Sequence, residues 1–92
     1  MKHAGADTLA LLAPLLSKLR KLGVLVERTP GSFYLRSKAF LHFHEDPSGL
    51  FADVKEDLAS FSRFRVSTRA EQEKFLALVK RTLSEHVPAD RR

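Results

Sequence analysis

The chain has 92 residues, 43% of them hydrophobic and 29% charged, ordinary globular values that exclude wholesale disorder and fibrous repeats. It contains no cysteine, which removes disulfides, thiolate metal sites and a cysteine nucleophile together. Sixteen Lys and Arg against eleven Asp and Glu give a formal charge of +5, with the excess in residues 1–31 and 68–92 and a balanced middle. Such a surface serves solubility as readily as it attracts phosphate.

The chain reads as a single domain over 1–92, ordered from about residue 8 to 87, its small or polar first six residues being expected to fray. Leu9, Leu12, Leu15, Leu16, Leu19 and Leu22 recur at spacings of three and four, predicting an amphipathic helix from about Leu9 to Leu22. Asp7 or Thr8 caps it, Gly23 ends it, and Pro14 weakens its first turn. The apolar run inside it is far shorter than the roughly 20 residues needed to span a bilayer. Lys18, Arg20 and Lys21 follow that run without a signal-type cleavage site. A cytoplasmic location and no membrane partner are therefore expected.

Val24 to Arg28 is a short strand ended by Pro30-Gly31. A long strand is predicted from Ser32 to Glu45, with a bulge or bend near Ser37. Its alternation turns Phe33, Leu35, Ala39, Leu41 and Phe43 inward and Tyr34, Arg36, Lys38, Phe40, His42 and His44 outward. Asp46-Pro47-Ser48-Gly49 has the residues of a type I turn. On the return strand, Leu50 to Lys55, the apolar pattern pairs Glu45 with Leu50, Phe43 with Ala52, Leu41 with Val54 and His42 with Asp53. After a turn over Glu56 to Ser60, Phe61 to Val66 forms a fourth strand with Arg63 and Arg65 outward. Thr68 and Glu71 match a capping box, opening a helix that carries Phe75, Leu76, Val79 and Leu83 and runs to His86. Pro88 bars its continuation, and the tail beyond is expected to be loose. The resulting fold class is α+β, a two-layer sandwich in the order α-β-β-β-β-α, with an antiparallel sheet and both helices on one face.

The segments Gly31-Ser32-Phe33-Tyr34, Arg36 to His44, the Asp46-Pro47-Ser48-Gly49 turn and Leu50-Phe51-Ala52-Asp53-Val54, with Arg63-Phe64-Arg65-Val66, resemble a group of short, functionally uncharacterised bacterial proteins. The resemblance covers about Leu22 to Leu83. In architecture the chain is also similar to the frataxin-like and YjbR-type α+β group, whose helices pack on one side of an antiparallel sheet. Neither resemblance implies an activity.

His42, His44 and Asp53 form the one cluster with metal-ligating chemistry. Residues i and i+2 of a strand share a face, and the register sets Asp53 across from His42. Two imidazoles and a carboxylate suit Zn²⁺, but a full ligand set must recruit Glu45, Asp46 or a terminal residue such as His3. The competing reading is an ordinary His42–Asp53 pair on a wetted face, and no cofactor is expected. Ser37, Ser48, Ser62 and Ser67 lack a nucleophile-elbow context, and no phosphate-cradling glycine loop exists. The sequence thus reads as a non-catalytic binding module. Its binding surface is the open sheet face, with Tyr34, Arg36, Lys38, Phe40, His42, His44, Phe51, Asp53, Arg63 and Arg65. Phe40, Phe51 and Tyr34 on that face predict a protein partner or a homodimer. The alternative is nucleic acid or another anionic ligand held through Arg36, Lys38, Arg63 and Arg65.

Overall fold

Pro14 divides the leucine-rich segment into two helices, α1 (Ala6–Leu11) and α2 (Ala13–Lys21), in the computed structural model, which describes residues 2–86. Pro14 stands in the first turn of α2, where its fixed φ suits the helix and its missing N–H is no loss. The single helix expected over Leu9 to Leu22 is therefore two, joined at the fully buried Leu12. The tail after Pro88 lies outside the described residues.

Six strands follow or precede these helices: β1 (Lys2–His3), β2 (Val26–Thr29), β3 (Ser32–Leu35), β4 (Lys38–Asp46), β5 (Gly49–Val54) and β6 (Ser62–Arg65). The last element is α3 (Arg69–His86). The fold is α+β with an open antiparallel sheet in the order β2-β3-β4-β5-β6. It has more strands than the four expected, for two reasons. The long strand predicted from Ser32 to Glu45 reverses at Arg36-Ser37, whose φ values of 53° and 72° place both in the left-handed region. Such a two-residue turn matches the twist of the strands it joins, so Leu35 faces Lys38 across a hairpin. The first residues, expected to fray, form β1 instead and pair with β4, Lys2 opposite Glu45 and His3 opposite His44. Because β5 occupies one edge of β4 along residues 41–46, β1 lies on the other edge, beyond the stretch that β3 covers.

The β4–β5 register is the one the apolar pattern requires, with Leu41 opposite Val54, His42 opposite Asp53, Phe43 opposite Ala52 and Glu45 opposite Leu50. On the β3 side the ladder slips. Phe33 pairs with Leu41 and Tyr34 with Ala39, which leaves Phe40 unpaired in a bulge. The extra residue turns Phe40 to the core side, where it is 1% exposed, so it does not belong to the open face on which the alternation placed it.

One apolar cluster joins the layers: Leu12 at the junction of the first two helices, Leu15, Leu16 and Leu19 from α2, Phe75, Leu76, Val79 and Leu83 from α3, and the inward residues of β3, β4 and β5, with Leu9 of α1 packed against it. Both helical segments therefore cover the same side of the sheet. The start of α3 is fixed by the expected capping box. Thr68 Oγ1 accepts from the Glu71 amide at 3.1 Å, and Glu71 Oε1 accepts from the Thr68 and Ser67 amides at 2.9 Å each. Among the described residues no helix is long and apolar enough to cross a membrane.

Candidate metal centre

On the uncovered side of the sheet, cross-strand pairing lines up two rows. One runs His3, His44, Phe51, Arg65 across β1, β4, β5 and β6, and the other His42, Asp53, Arg63 across the last three strands. The two-residue period of β4 and β5 sets the rows side by side on one face.

Asp53 is the centre of the cluster. Its carboxylate is 6% exposed as a residue and accepts two hydrogen bonds from Arg63, Nε to Oδ1 at 2.7 Å and Nη2 to Oδ2 at 2.8 Å. Oδ2 also lies 3.1 Å from His44 Nε2 and 3.4 Å from His42 Nε2. The His44 nitrogen is buried, yet close as it is to Oδ2 it is not aligned for a hydrogen bond and has no other partner among the described residues. Leaving a buried polar atom unmatched costs about 1–3 kcal/mol, so its environment calls for a group that accepts its lone pair. The ligand-capable atoms of His42, His44 and Asp53 all lie within 4.8 Å of one another. Donors about 2.1 Å from a tetrahedral ion sit roughly 3.4 Å apart; His42 Nε2 has that spacing from Oδ2, and His44 Nε2, at 3.1 Å, is slightly closer.

The protonation states agree with ligation. Burial is the main cause that pushes His42 below its ordinary value, the neighbouring His44, His3 and Arg63 disfavour its charged form further, and the opposing pull of Asp53 does not overcome them. The neutral ring, the form that binds metal, is favoured. Burial would raise Asp53, but the Arg63 hydrogen bonds and charge, aided by His44 and His42, hold its carboxyl below the usual range. Arg63 thus keeps the carboxylate ionised and fixes its orientation.

Of the three residues that sequence reasoning offered as a further ligand, the structure turns two elsewhere. Glu45 accepts from the Gly5 amide at 3.0 Å and pairs with Lys2 at 3.6 Å. Asp46 accepts from the Ser48 amide and hydroxyl within its own turn. His3 is brought in: its ring centroid is 4.7 Å from that of His44 and 5.7 Å from that of His42. Phe61, which sequence reasoning missed, packs edge-on against His42 at 4.7 Å. Its only signal was position, an aromatic residue immediately before β6.

The remaining face residues are dispersed or engaged. Arg65 pairs with Glu71 at 3.4 Å and donates to the Ser48 carbonyl at 2.7 Å, with its guanidinium 6.0 Å from the Phe51 ring. Tyr34 lies under the Arg28 guanidinium, 4.4 Å from the ring centroid. Arg36 lies in the β3–β4 reversal and Lys38 directly after it, beside a cleft of about 200 Å³ that also involves Lys55 and Leu58, outside the histidine cluster. The four cations expected to meet an anion are therefore not one patch, because Arg63 and Arg65 are held by carboxylates of this chain. Comparison with known protein families, curated proteins and solved structures finds no match for this chain.

Proposed function

We propose that this protein is a small, non-catalytic binding module whose open sheet face holds a divalent transition-metal ion between His42, His44 and Asp53. The observation that carries this reading is the buried, unpartnered Nε2 of His44, 3.1 Å from the carboxylate oxygen that His42 Nε2 also approaches. Two imidazoles with one carboxylate suit Zn²⁺, Co²⁺, Ni²⁺ or Cu²⁺, whereas Mg²⁺ and Ca²⁺ favour sites made of oxygen alone. Phe51 and Phe61, the aromatic rings beside the cluster, supply no reacting group, and holding the ion is the chemistry assigned here. Association through Phe40 draws less support, since that ring is in the core.

Calorimetric titration of the full chain, free of any affinity tag, with Zn²⁺ tests the reading. One ion should bind per chain. A structural zinc site is worth roughly 10–16 kcal/mol over four ligands, so His44→Ala should weaken binding about 100-fold or more. An absence of binding, or equal affinity in the variant, defeats it.

A further inference from the structure

The metal reading leaves the ligand set short. Three protein donors with an open position describe a site that exposes its ion to water and substrate, whereas a closed set of four describes one that only holds it. Which of the two this face builds depends on β1.

We infer that His3 is the fourth protein ligand, so that β1 is a strap closed over the ion and the site is a sealed three-histidine, one-aspartate centre. The inference rests on the assignment of His42, His44 and Asp53 as ligands. Its own support is the placement of His3. Opposite His44 in the β1–β4 ladder, it shares the face of that residue, and its ring centroid lies 4.7 Å from that of His44 and 5.7 Å from that of His42, so that a turn of its exposed side chain brings a nitrogen to the three close donors. That placement is set by groups other than the ring. The Ala4 amide donates to the Phe43 carbonyl at 3.1 Å, and the Gly5 amide donates to Glu45 Oε2 at 3.0 Å. These contacts fix the register that delivers His3, while Glu45 and Asp46, the acids nearest in sequence, are occupied. No apolar burial holds β1 itself: Lys2 and His3 are both exposed. A two-residue strand secured by hydrogen bonds and one exposed ion pair, Lys2 with Glu45, is among the first parts of a fold to open. An ion shared between His3 and the sheet ties it down, because a ligand that binds only the docked form stabilises that form.

Three imidazoles and a carboxylate match the nitrogen and oxygen ligands of tetrahedral Zn²⁺, and Co²⁺ reports the same geometry through its visible absorption, intense when four-coordinate and weak when five- or six-coordinate. Tag-free wild-type chain, His3→Ala, His3→Cys and His44→Ala would be titrated with Co²⁺ and Zn²⁺. Wild type should give the intense spectrum. Zn²⁺ should slow exchange of the Ala4 amide, whose bond to Phe43 measures docking of β1. His3→Ala should keep an ion but bind it at least about tenfold more weakly, lose the intense bands and lose the Zn²⁺ protection at Ala4. His3→Cys should regain four-coordination with a thiolate-to-cobalt band in the near ultraviolet, direct proof of contact at this position. Unchanged affinity and spectrum in His3→Ala, with His44→Ala still defective, would overturn the strap and leave a three-ligand site. Failure of wild type to bind either ion would overturn the site itself. As His3 is exposed, its replacements leave the core untouched, which a far-ultraviolet spectrum verifies.

Discussion

Along β4, residues 38–41 and residues 42–46 belong to one strand yet end in different surroundings. In the first stretch the β3 ladder slips by a residue, and Phe40 and Leu41 both face the core, each 1% exposed. In the second, the β5 ladder runs without interruption, and alternate residues separate cleanly, Phe43 inward and His42 and His44 outward around Asp53. A bulge spends its extra residue on apolar packing, whereas a regular ladder can hold three polar side chains within a few ångströms. Concentrated polar chemistry on a sheet needs the second kind of backbone.

Two measurements probe that contrast, and a third site serves as a reference. Phe40→Ala should cost about 3–5 kcal/mol in urea unfolding, the loss expected for a core phenylalanine, while Phe51→Ala on the wetted face should cost less than half as much. Equal costs would return Phe40 to the surface and abolish the difference between the two stretches. Asp53→Asn keeps the shape but removes the charge that Arg63 and both histidines share. We expect a loss of about 1–3 kcal/mol by chemical denaturation, and a neutral result would make the polar stretch an ordinary solvated face. The smallest effect is a reference from outside β4. The Thr68 and Ser67 amides hold the Glu71 carboxyl below its ordinary range. A group lowered on folding contributes stability above its unfolded pKa and loses it as pH falls through the folded value. Protection of the Glu71 amide from exchange, corrected for intrinsic rates, should therefore drop through the acid range below the ordinary glutamate value of about 4.3, as the carboxylate titrates. Thr68→Ala should cost about 1 kcal/mol at neutral pH. Unchanged Glu71 protection across that range would show that the capping box does not hold the end of α3.

Much of the candidate site was legible in the sequence because the turn and the apolar pattern fix register together. Asp46-Pro47-Ser48-Gly49 marks where the chain reverses, and burying Leu41, Phe43, Ala52 and Val54 on one side leaves a single alignment, which sets His42 against Asp53. The helices were legible from leucine spacing, except that Pro14 made two of one. The Arg36-Ser37 reversal was not legible, since neither residue announces a positive φ as Gly, Asn or Asp would, and the alternation of Ser32 to Leu35 continues in phase through Lys38 and Ala39. Phe40 was misplaced for the same reason that makes bulges hard to see: inserting one residue reverses the facing of those beyond it on one side only. The strand Lys2–His3 carries no strand signal at all. Its position comes from the Glu45 carboxylate, forty residues away from the Gly5 amide it holds.

Only Ala4 and Gly5 separate β1 from α1. At one end of this connection His3 lies on the wetted side of the sheet, and at the other Leu9 of α1 sits so close to the β2–β3 turn that a Cβ on Gly31 would come within 2.7 Å of it. The apolar core lies on the helix side of the sheet, opposite the His3 ring. Here a covalent link of only two residues joins the wetted side of the sheet to a helix on the other, so the first turn of α1 and the His3 ring share one short stretch of chain.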